Sequence, residues 1–213
     1  MHAEIHEQPE VLRRIAVSEW HAVQEVARAV RQHGVRYVIL AARGTSDHAA
    51  QYFKYLFEIE NGIPCGLAAP SVVTLYRARL NLQGALVVGI SQSGQAPDVI
   101  EYLNHARAQG ALTLAITNDP KSPLAQVAEL ALELHAGEER AVAATKTYTA
   151  TLSVIYLLSE ALKDNASAPE SLATTAEQVQ QTLVLDATIE AVVDRYRYMR
   201  ECVALARGIN QCT

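Results

Sequence analysis

Two short polar turns carry the residue types best suited to hold an anion. One contains Ser91, Gln92 and Ser93 within GISQSGQAPDV, and the other contains Thr45 and Ser46 within RGTSDHAA. Each turn lies between an apolar run, which predicts a buried strand, and a helical pattern. Hydroxyl and amide donors beside the unpaired N–H groups of a helix amino terminus suit a phosphate. Because serine is also a common N-cap, each turn alone fits a capping role about equally well.

The sequence lacks the motifs of several other binding and catalytic sites. A hydrolase nucleophile elbow requires G-x-S-x-G, but Ser91 is followed by Gln92 and Ser93 rather than by glycine two positions on. Neither the phosphate-binding loop G-x-x-x-x-G-K-[ST] nor the dinucleotide motif G-x-G-x-x-G occurs. His2 and His6 have the spacing of helical metal ligands, but no third ligand accompanies them in the sequence. We therefore predict neither a metal nor a cofactor.

Five apolar, β-rich runs alternate with helical patterns and would position these turns. They predict strands over 35–42, 63–69, 84–90, 111–117 and 129–135. Such alternation predicts a three-layer α/β fold, with a parallel sheet covered by helices on both faces. In the flavodoxin-like order 2-1-3-4-5, the first and third strands flank the crevice where ligands bind. Because the two polar turns follow these strands, we expect them to face one crevice.

Helical patterns bracket this alternation at both ends of the chain. The spacing of apolar residues predicts helices over 9–33, over 145–163 and over 186–206, and another that begins near Pro169. The polar turn after the first strand leads into a predicted helix that reaches about Glu60.

Composition narrows the class of partner and the compartment. The net charge is −5 with both signs interspersed, and aromatic residues make up only 6%, which argues against a nucleic-acid partner. The acidic amino terminus does not resemble a signal peptide, and the apolar stretch 151–162 is too short for a membrane span. Three scattered cysteines suit a reducing compartment. We expect a cytoplasmic protein.

Four stretches together resemble the sugar isomerase (SIS) family. They are EIHEQP (4–9), ARGTSDHA (42–49), ISQSGQAPD (90–98) and AGEERAVAATKTYT (136–149). Their order and spacing resemble the first SIS domain in the isomerase half of glucosamine-6-phosphate synthases. Related two-SIS-domain isomerases and deaminases of hexosamine phosphates have the same arrangement. The resemblance implies a five-stranded, flavodoxin-like SIS fold.

The resemblance also implies a ligand and the residues that contact it. The ligand is a hexosamine 6-phosphate, such as glucosamine 6-phosphate, or fructose 6-phosphate, with its phosphate held by the SQSG turn. The implied activity is aldose–ketose isomerisation or deamination, and the alternative is a non-catalytic sugar-phosphate-sensing module. SIS domains pair, so a homodimer is expected. The implied substrate-contacting residues are Gly44, Thr45, Ser46, Ser91, Gln92, Ser93, Val142 and Thr145.

By the same resemblance the chain divides into four parts. These are an amino-terminal helical segment (1–34), a first SIS domain (35–165), a helical linker (166–203), and the opening strand of a truncated second SIS domain (204–213). In the family, the catalytic glutamate and histidine belong to the second domain. The catalytic residues are therefore unknown, and whether this chain alone is an enzyme stays open.

Inside the chain, three side chains could serve as the proton-transferring base: His48, Glu138 and Glu139. A histidine at a helix start is usually a surface or capping residue, and paired acids at a turn are usually solvated. None of the three is assigned as the base.

Two positions depart from the family pattern. The motif S-Q-S-G-E-T ends in a threonine that contacts the phosphate, but this chain has Gln95 and Ala96. Ala144 replaces the usual serine before T-K. Losing one phosphate hydrogen bond is expected to cost about 1–2 kcal/mol, and the two changes point to a relative with a different substrate.

Overall fold

The five predicted strands form one parallel sheet. In the computed structural model, which describes residues 1–203 and 205–212, the strands lie in the order β2-β1-β3-β4-β5. Every neighbouring pair is parallel, which confirms the predicted flavodoxin-like order. The strands are slightly shorter than the apolar runs: β1 Tyr37–Ala41, β2 Cys65–Leu67, β3 Ala85–Ile90, β4 Leu112–Thr117 and β5 Leu130–Glu133.

Helices cover both faces of this sheet. The α-helices are α1 His2–Ser18, α2 Trp20–Gln32, α3 Thr45–Leu56, α4 Ser71–Thr74, α5 Pro97–Ala108, α6 Pro123–Val127, α7 Lys146–Leu162, α8 Ala168–Thr182 and α9 Asp186–Val193. Alternate residues of β3 enter two cores: Leu86 and Val88 pack with α1, α2, α3, α7 and α8, whereas Val87 packs with α5. β3 and β4 are buried at every position because both faces are covered. None of the helices in the described ranges combines the length and apolar character that crossing a bilayer requires.

The first helix begins earlier than its sequence pattern predicts. The expected start was residue 9, but α1 begins at His2 and contains Pro9 in its interior. Proline has no N–H, so it cannot donate to the carbonyl of Ile5 one turn earlier. Gln8 replaces that donor, because its Nε2 donates to the Ile5 carbonyl at 3.0 Å. A side-chain hydrogen bond thus keeps the helix continuous through a residue that usually ends one.

A break at Glu19 separates α1 from α2, where one continuous helix was predicted. The Glu19 carboxylate is buried and accepts the backbone N–H of Glu133, at the end of β5, at 2.8 Å. Its other oxygen lies 2.6 Å from Nε2 of His135. A tertiary contact with the sheet edge therefore ends α1, and no helix-breaking residue marks the position.

The helix predicted over 186–206 is correct only in its first third. α9 ends at Val193, and a short 3₁₀ turn over Asp194–Tyr196 follows it. We call residues 183–203 the carboxyl-terminal arm. Apolar side chains along the arm stay exposed, for example Ile189 at 58%. Without a packed face, the apolar spacing alone does not maintain the helix.

Residues 205–212, which belong to the predicted opening strand over 204–213, do not form a strand. Gly208–Cys212 form a 3₁₀ helix that lies beside α3, and residues 205–207 have no regular structure. The two ends of the predicted segment, Ala204 and Thr213, lie outside the described residues. A strand needs a neighbour to pair with, and residues 205–212 have none among the described strands.

Candidate functional site

A cleft of about 320 Å³ opens at the carboxyl ends of β1 and β3. These strands are hydrogen-bonded neighbours, so the two polar turns that follow them meet at one edge of the sheet. The structure therefore brings together most of the residues predicted to contact a substrate. Six of those eight line the cleft: Thr45, Ser46, Ser91, Gln92, Ser93 and Val142.

The backbone of the turn after β3 is fixed by the end of β4 and by the residue that follows it. The N–H of Ser91 donates to the carbonyl of Ile116 at 3.1 Å. The N–H of Asn118 donates to the carbonyl of Gln92 at 3.0 Å. Gly94 closes the turn with φ +62°, and its N–H donates to the Ser91 carbonyl at 3.1 Å. Because backbone groups alone make these bonds, the side chains of Ser91 and Gln92 can border the cleft.

The serines of the two turns are not helix caps. Within the described chain, the N-cap residues of α3 and α5 are Gly44 and Ala96, and neither makes a side-chain cap hydrogen bond. Ser46 lies inside the first turn of α3, and Ser93 Oγ accepts the N–H of Gln95 at 3.3 Å. The capping interpretation of these serines is therefore wrong. Both helices begin at the cleft with their first turns free of a side-chain cap.

Glu139 also lines the cleft, and it caps α7. Its Oε1 accepts both the N–H and the hydroxyl of Thr145 at 2.9 Å. Its Oε2 accepts the hydroxyl of Thr147. Glu138 and Glu139 were expected to be a solvated pair; Glu138 is, and its contact with Arg140 at 2.7 Å lowers its pKa. Glu139 instead accepts hydrogen bonds at the start of α7, and its partner Thr145 lies outside the cleft lining.

Gly44 and His48 also lie outside the cleft lining. Gly44 shapes the turn after β1 with φ +58° and ψ −131°, a conformation that side chains with a Cβ disfavour. His48, one of the three candidate bases, is exposed on α3. The contact roles predicted for Gly44 and Thr145 stay predictions.

Charge is unevenly placed around the cleft. Among its described lining residues, Arg43 is the single cation and Glu139 the single anion. The Nε of Arg43 donates to Oδ2 of Asp98 in α5. Lys146, which begins α7, is only 2% exposed, and its Nζ lies 2.5 Å from Oε2 of Glu7. The cleft lining therefore offers mainly neutral donors, and Lys146 is paired with Glu7 outside that lining.

The amino-terminal helix anchors the loop that carries Glu139. Oε1 of Glu4 accepts the N–H groups of Arg140 at 2.6 Å and of Ala141 at 3.2 Å. Its Oε2 lies 3.0 Å from the α-amino group of Met1. The Arg140 backbone bond, followed by the amino group, lowers the pKa of Glu4 to about 2. Sequence reasoning missed Glu4, because no local pattern links residues separated by 136 positions.

Glu4→Gln is expected to make the fold less sensitive to acid. In the unfolded chain the carboxyl has a pKa of 4.5, and in the folded chain about 2. The Glu4 carboxylate therefore contributes its full stabilisation above pH 4.5, and this stabilisation is lost as the pH falls toward 2. Urea unfolding at several pH values should show wild type losing more stability over this window than Glu4→Gln does. The matched control is Glu10→Gln on the exposed side of α1, which should keep the wild-type profile; parallel profiles for all three proteins would contradict the anchoring role.

The expectation that His2 and His6 have no third partner is wrong. Asp186, at the start of α9, places Oδ2 2.7 Å from Nε2 of His2 and 3.3 Å from Nε2 of His6. The pKa of Asp186 is lowered, chiefly by the bond with His2. The three side chains could together ligate a metal ion, but they are exposed, and hydrogen bonds account for their approach. The contact joins α1 to the carboxyl-terminal arm.

Comparison with known protein families gives a match on the same elements that build the cleft. The SIS domain matches residues 33–161, which is more than half of the chain. The glutamine–fructose-6-phosphate aminotransferase (isomerizing) of Xylella fastidiosa strain 9a5c is 33% identical over 226 residues, covering 99% of this chain and 37% of that protein. The chain thus spans little more than a third of the length of this relative.

Two solved structures superpose on nearly the whole chain. A Silicibacter pomeroyi DSS-3 protein named for phosphosugar isomerase activity has a TM-score of 0.85 at 33% identity, covering 92% of this chain and 60% of that one. The C-terminal domain of glucosamine-fructose-6-phosphate aminotransferase from Francisella tularensis has a TM-score of 0.82 at 25% identity, covering 100% and 63%. Together with the parallel sheet and the paired polar turns, these matches show that the chain belongs to the SIS domain family.

Proposed function

We propose that the cleft binds the phosphate of a hexosamine 6-phosphate or of fructose 6-phosphate. The observation that carries this proposal is the wall of hydroxyl groups at the uncapped amino ends of α3 and α5. Thr45, Ser46, Ser91 and Ser93 line that wall. A hydrogen bond from such a donor to a charged phosphate contributes about 1.5–3 kcal/mol. The names of the Xylella, Silicibacter and Francisella relatives support a phosphosugar as the ligand class.

The remaining walls suit the sugar portion of that ligand. The cleft volume of about 320 Å³ lies near the lower end of the range typical of small-molecule sites, roughly 300–1,000 Å³. Val142 and Tyr148 line the cleft together with Glu139 and the serine turns. With a dianion held at the hydroxyl wall, the negative charge of Glu139 favours the sugar end on its own side.

We propose that the chain is the phosphate-binding part of an aldose–ketose isomerase or deaminase. Moving a proton between adjacent carbons requires a base within hydrogen-bond reach of the sugar. Glu139, the single acid in the described lining, already accepts bonds from Thr145 and Thr147. The base is therefore proposed to come from a second SIS domain or from a second copy of the chain. The exposed apolar side chains of the carboxyl-terminal arm favour such pairing.

The commitment of Glu139 to α7 also favours a second candidate function, a non-catalytic sugar-phosphate sensor. Both candidates share the phosphate site and differ only in turnover. The enzyme function is supported if the protein, paired with a second SIS domain or a second copy, interconverts glucosamine 6-phosphate and fructose 6-phosphate or releases ammonia. Ligand binding without either reaction in that state supports the sensor.

A titration of thermal stability tests the phosphate site. Glucosamine 6-phosphate and fructose 6-phosphate are expected to raise the melting temperature, whereas the unphosphorylated sugars are expected to leave it unchanged. At a ligand concentration one hundred times Kd, the free energy of unfolding should rise by about 2.7 kcal/mol. Inorganic phosphate contacts only the hydroxyl groups of the cleft and not the sugar side, so it should raise the melting temperature less. Equal effects of glucosamine and its 6-phosphate, or none from either, would contradict the proposal.

A further inference from the structure

Arg43 occupies the rim of the cleft, although the sequence motifs did not point to it. It follows β1, directly before the turn that carries Thr45 and Ser46, and it borders the cleft with them. Its side chain is 63% exposed, so water surrounds much of it and packing does not immobilise it. The contact of its guanidinium with Asp98 is made through Nε. A guanidinium carries five N–H donors in a planar fork, so a contact through Nε leaves the N–H groups on the edge between its two terminal nitrogens unused by Asp98.

Asp98 creates the need for a cation at this position. It lies in the first turn of α5, close behind the serine turn, and its side chain is only 19% exposed. A partly buried carboxylate there repels a dianion that approaches the amino end of α5. The protein as a whole carries a net charge of −5, which adds to that repulsion. Lys146 does not offset this repulsion, because it is buried and paired with Glu7.

We infer that Arg43 is a phosphate-binding residue of this site, which Asp98 orients through Nε while the two terminal nitrogens donate to the phosphate. The inference rests on the proposed function, and it identifies Arg43 as the cation that contacts the phosphate. Arginine suits both partners at once, since it neutralises the carboxylate and presents parallel N–H groups to a second oxyanion. Lysine, with one compact ammonium, lacks the parallel pair of N–H donors that arginine offers to an oxyanion.

The test measures dissociation constants for glucosamine 6-phosphate and for glucosamine by calorimetry. Arg43→Gln is expected to weaken binding of the phosphorylated sugar by about 10- to 100-fold and to leave any binding of glucosamine within twofold. Arg43→Lys should recover only part of the loss. Because Arg43 is exposed, these variants should melt as wild type does. The matched control is Arg79→Gln, which makes the same change of charge at an exposed position outside the cleft lining and should bind as wild type.

The outcomes separate this inference from the proposed function. If wild type binds no phosphorylated sugar, the proposed function fails, and this inference fails with it. If replacing Ser91 and Ser93 by alanine removes phosphate affinity while Arg43→Gln binds as tightly as wild type, only the role of Arg43 is overturned. Equal losses for Arg43→Gln and Arg79→Gln would indicate a long-range charge effect and would also overturn it.

Discussion

Replacing Ser91 and Ser93 together by alanine is expected to weaken binding of glucosamine 6-phosphate by at least two orders of magnitude. Each substitution removes a hydroxyl donor from the cleft wall, and each lost bond to a dianion corresponds to about tenfold or more in Kd. Ser91 is buried at the base of the turn, so water does not freely replace its hydroxyl. Isothermal calorimetry with glucosamine 6-phosphate measures the loss directly.

A control pair separates ligand binding from stability. Ser18→Ala with Ser171→Ala makes the same chemical change at two exposed positions outside the cleft, and should leave Kd unchanged. Backbone bonds fix most of the turn that holds Ser91 and Ser93, and the variant loses the bond from the Gln95 N–H to Ser93 Oγ, so its stability should fall by about 1 kcal/mol at most. A variant that binds normally but unfolds more easily would mean that the two serines serve the fold and not the ligand.

Gly94→Ala is expected to be the most destabilising single substitution in the serine turn. A Cβ at this position would lie 2.1 Å from Oγ of Ser122 and 2.4 Å from its Cβ. Ser122 is only 1% exposed, and its Oγ accepts the N–H of Ala125 at 3.3 Å, so it cannot easily move aside. Positive φ adds strain of about 1–2 kcal/mol, and overpacking adds about 1–3 kcal/mol. Urea denaturation should therefore show a loss of about 2–5 kcal/mol.

Gly110→Ala is the matched control for this substitution. Gly110 also has positive φ, at +76°, but an added Cβ there would meet nothing within 4 Å. Gly110→Ala should therefore lose only the stability that corresponds to the backbone strain, about 1–2 kcal/mol. The difference between the two variants then reports the contact with Ser122. Equal losses at Gly94 and Gly110 would show that Ser122 yields, and would contradict the expected overpacking.

Local patterns in the sequence were sufficient to predict the sheet and the position of the cleft. Each strand lies within a short, mainly apolar run, so its type and place depend on residues within a few positions. The helices at both ends were predicted less well. Pro9 marked a false helix start because the side chain of Gln8 replaces the missing donor. Glu19 ends α1 through a partner in β5 that no local pattern indicates.

The same distinction holds at the candidate site. The hydroxyl residues were predicted because they cluster in two motifs next to strand ends. The roles of Glu4, Glu7 and Asp98 depend on contacts made only after folding, with Arg140, Lys146 and Arg43 respectively. Glu139 could be predicted to lie in the loop, but its capping of α7 depends on how that loop returns to the helix. Tertiary contacts thus decide which charges face the cleft.

The bond between Glu4 and Arg140 also has a consequence for how the protein is made. A ribosome adds about 5–20 residues per second, so α1 waits on the order of ten seconds for the 136 further residues that bring Arg140. The apolar face of α1, with Val11, Leu12 and Ile15, packs mainly against α7 and α8, which emerge later still. Closing so long a loop comes late in folding because its entropy cost must be met first. Until α7 and α8 have been synthesised, the apolar face of α1 therefore lacks its main packing partners in the nascent chain.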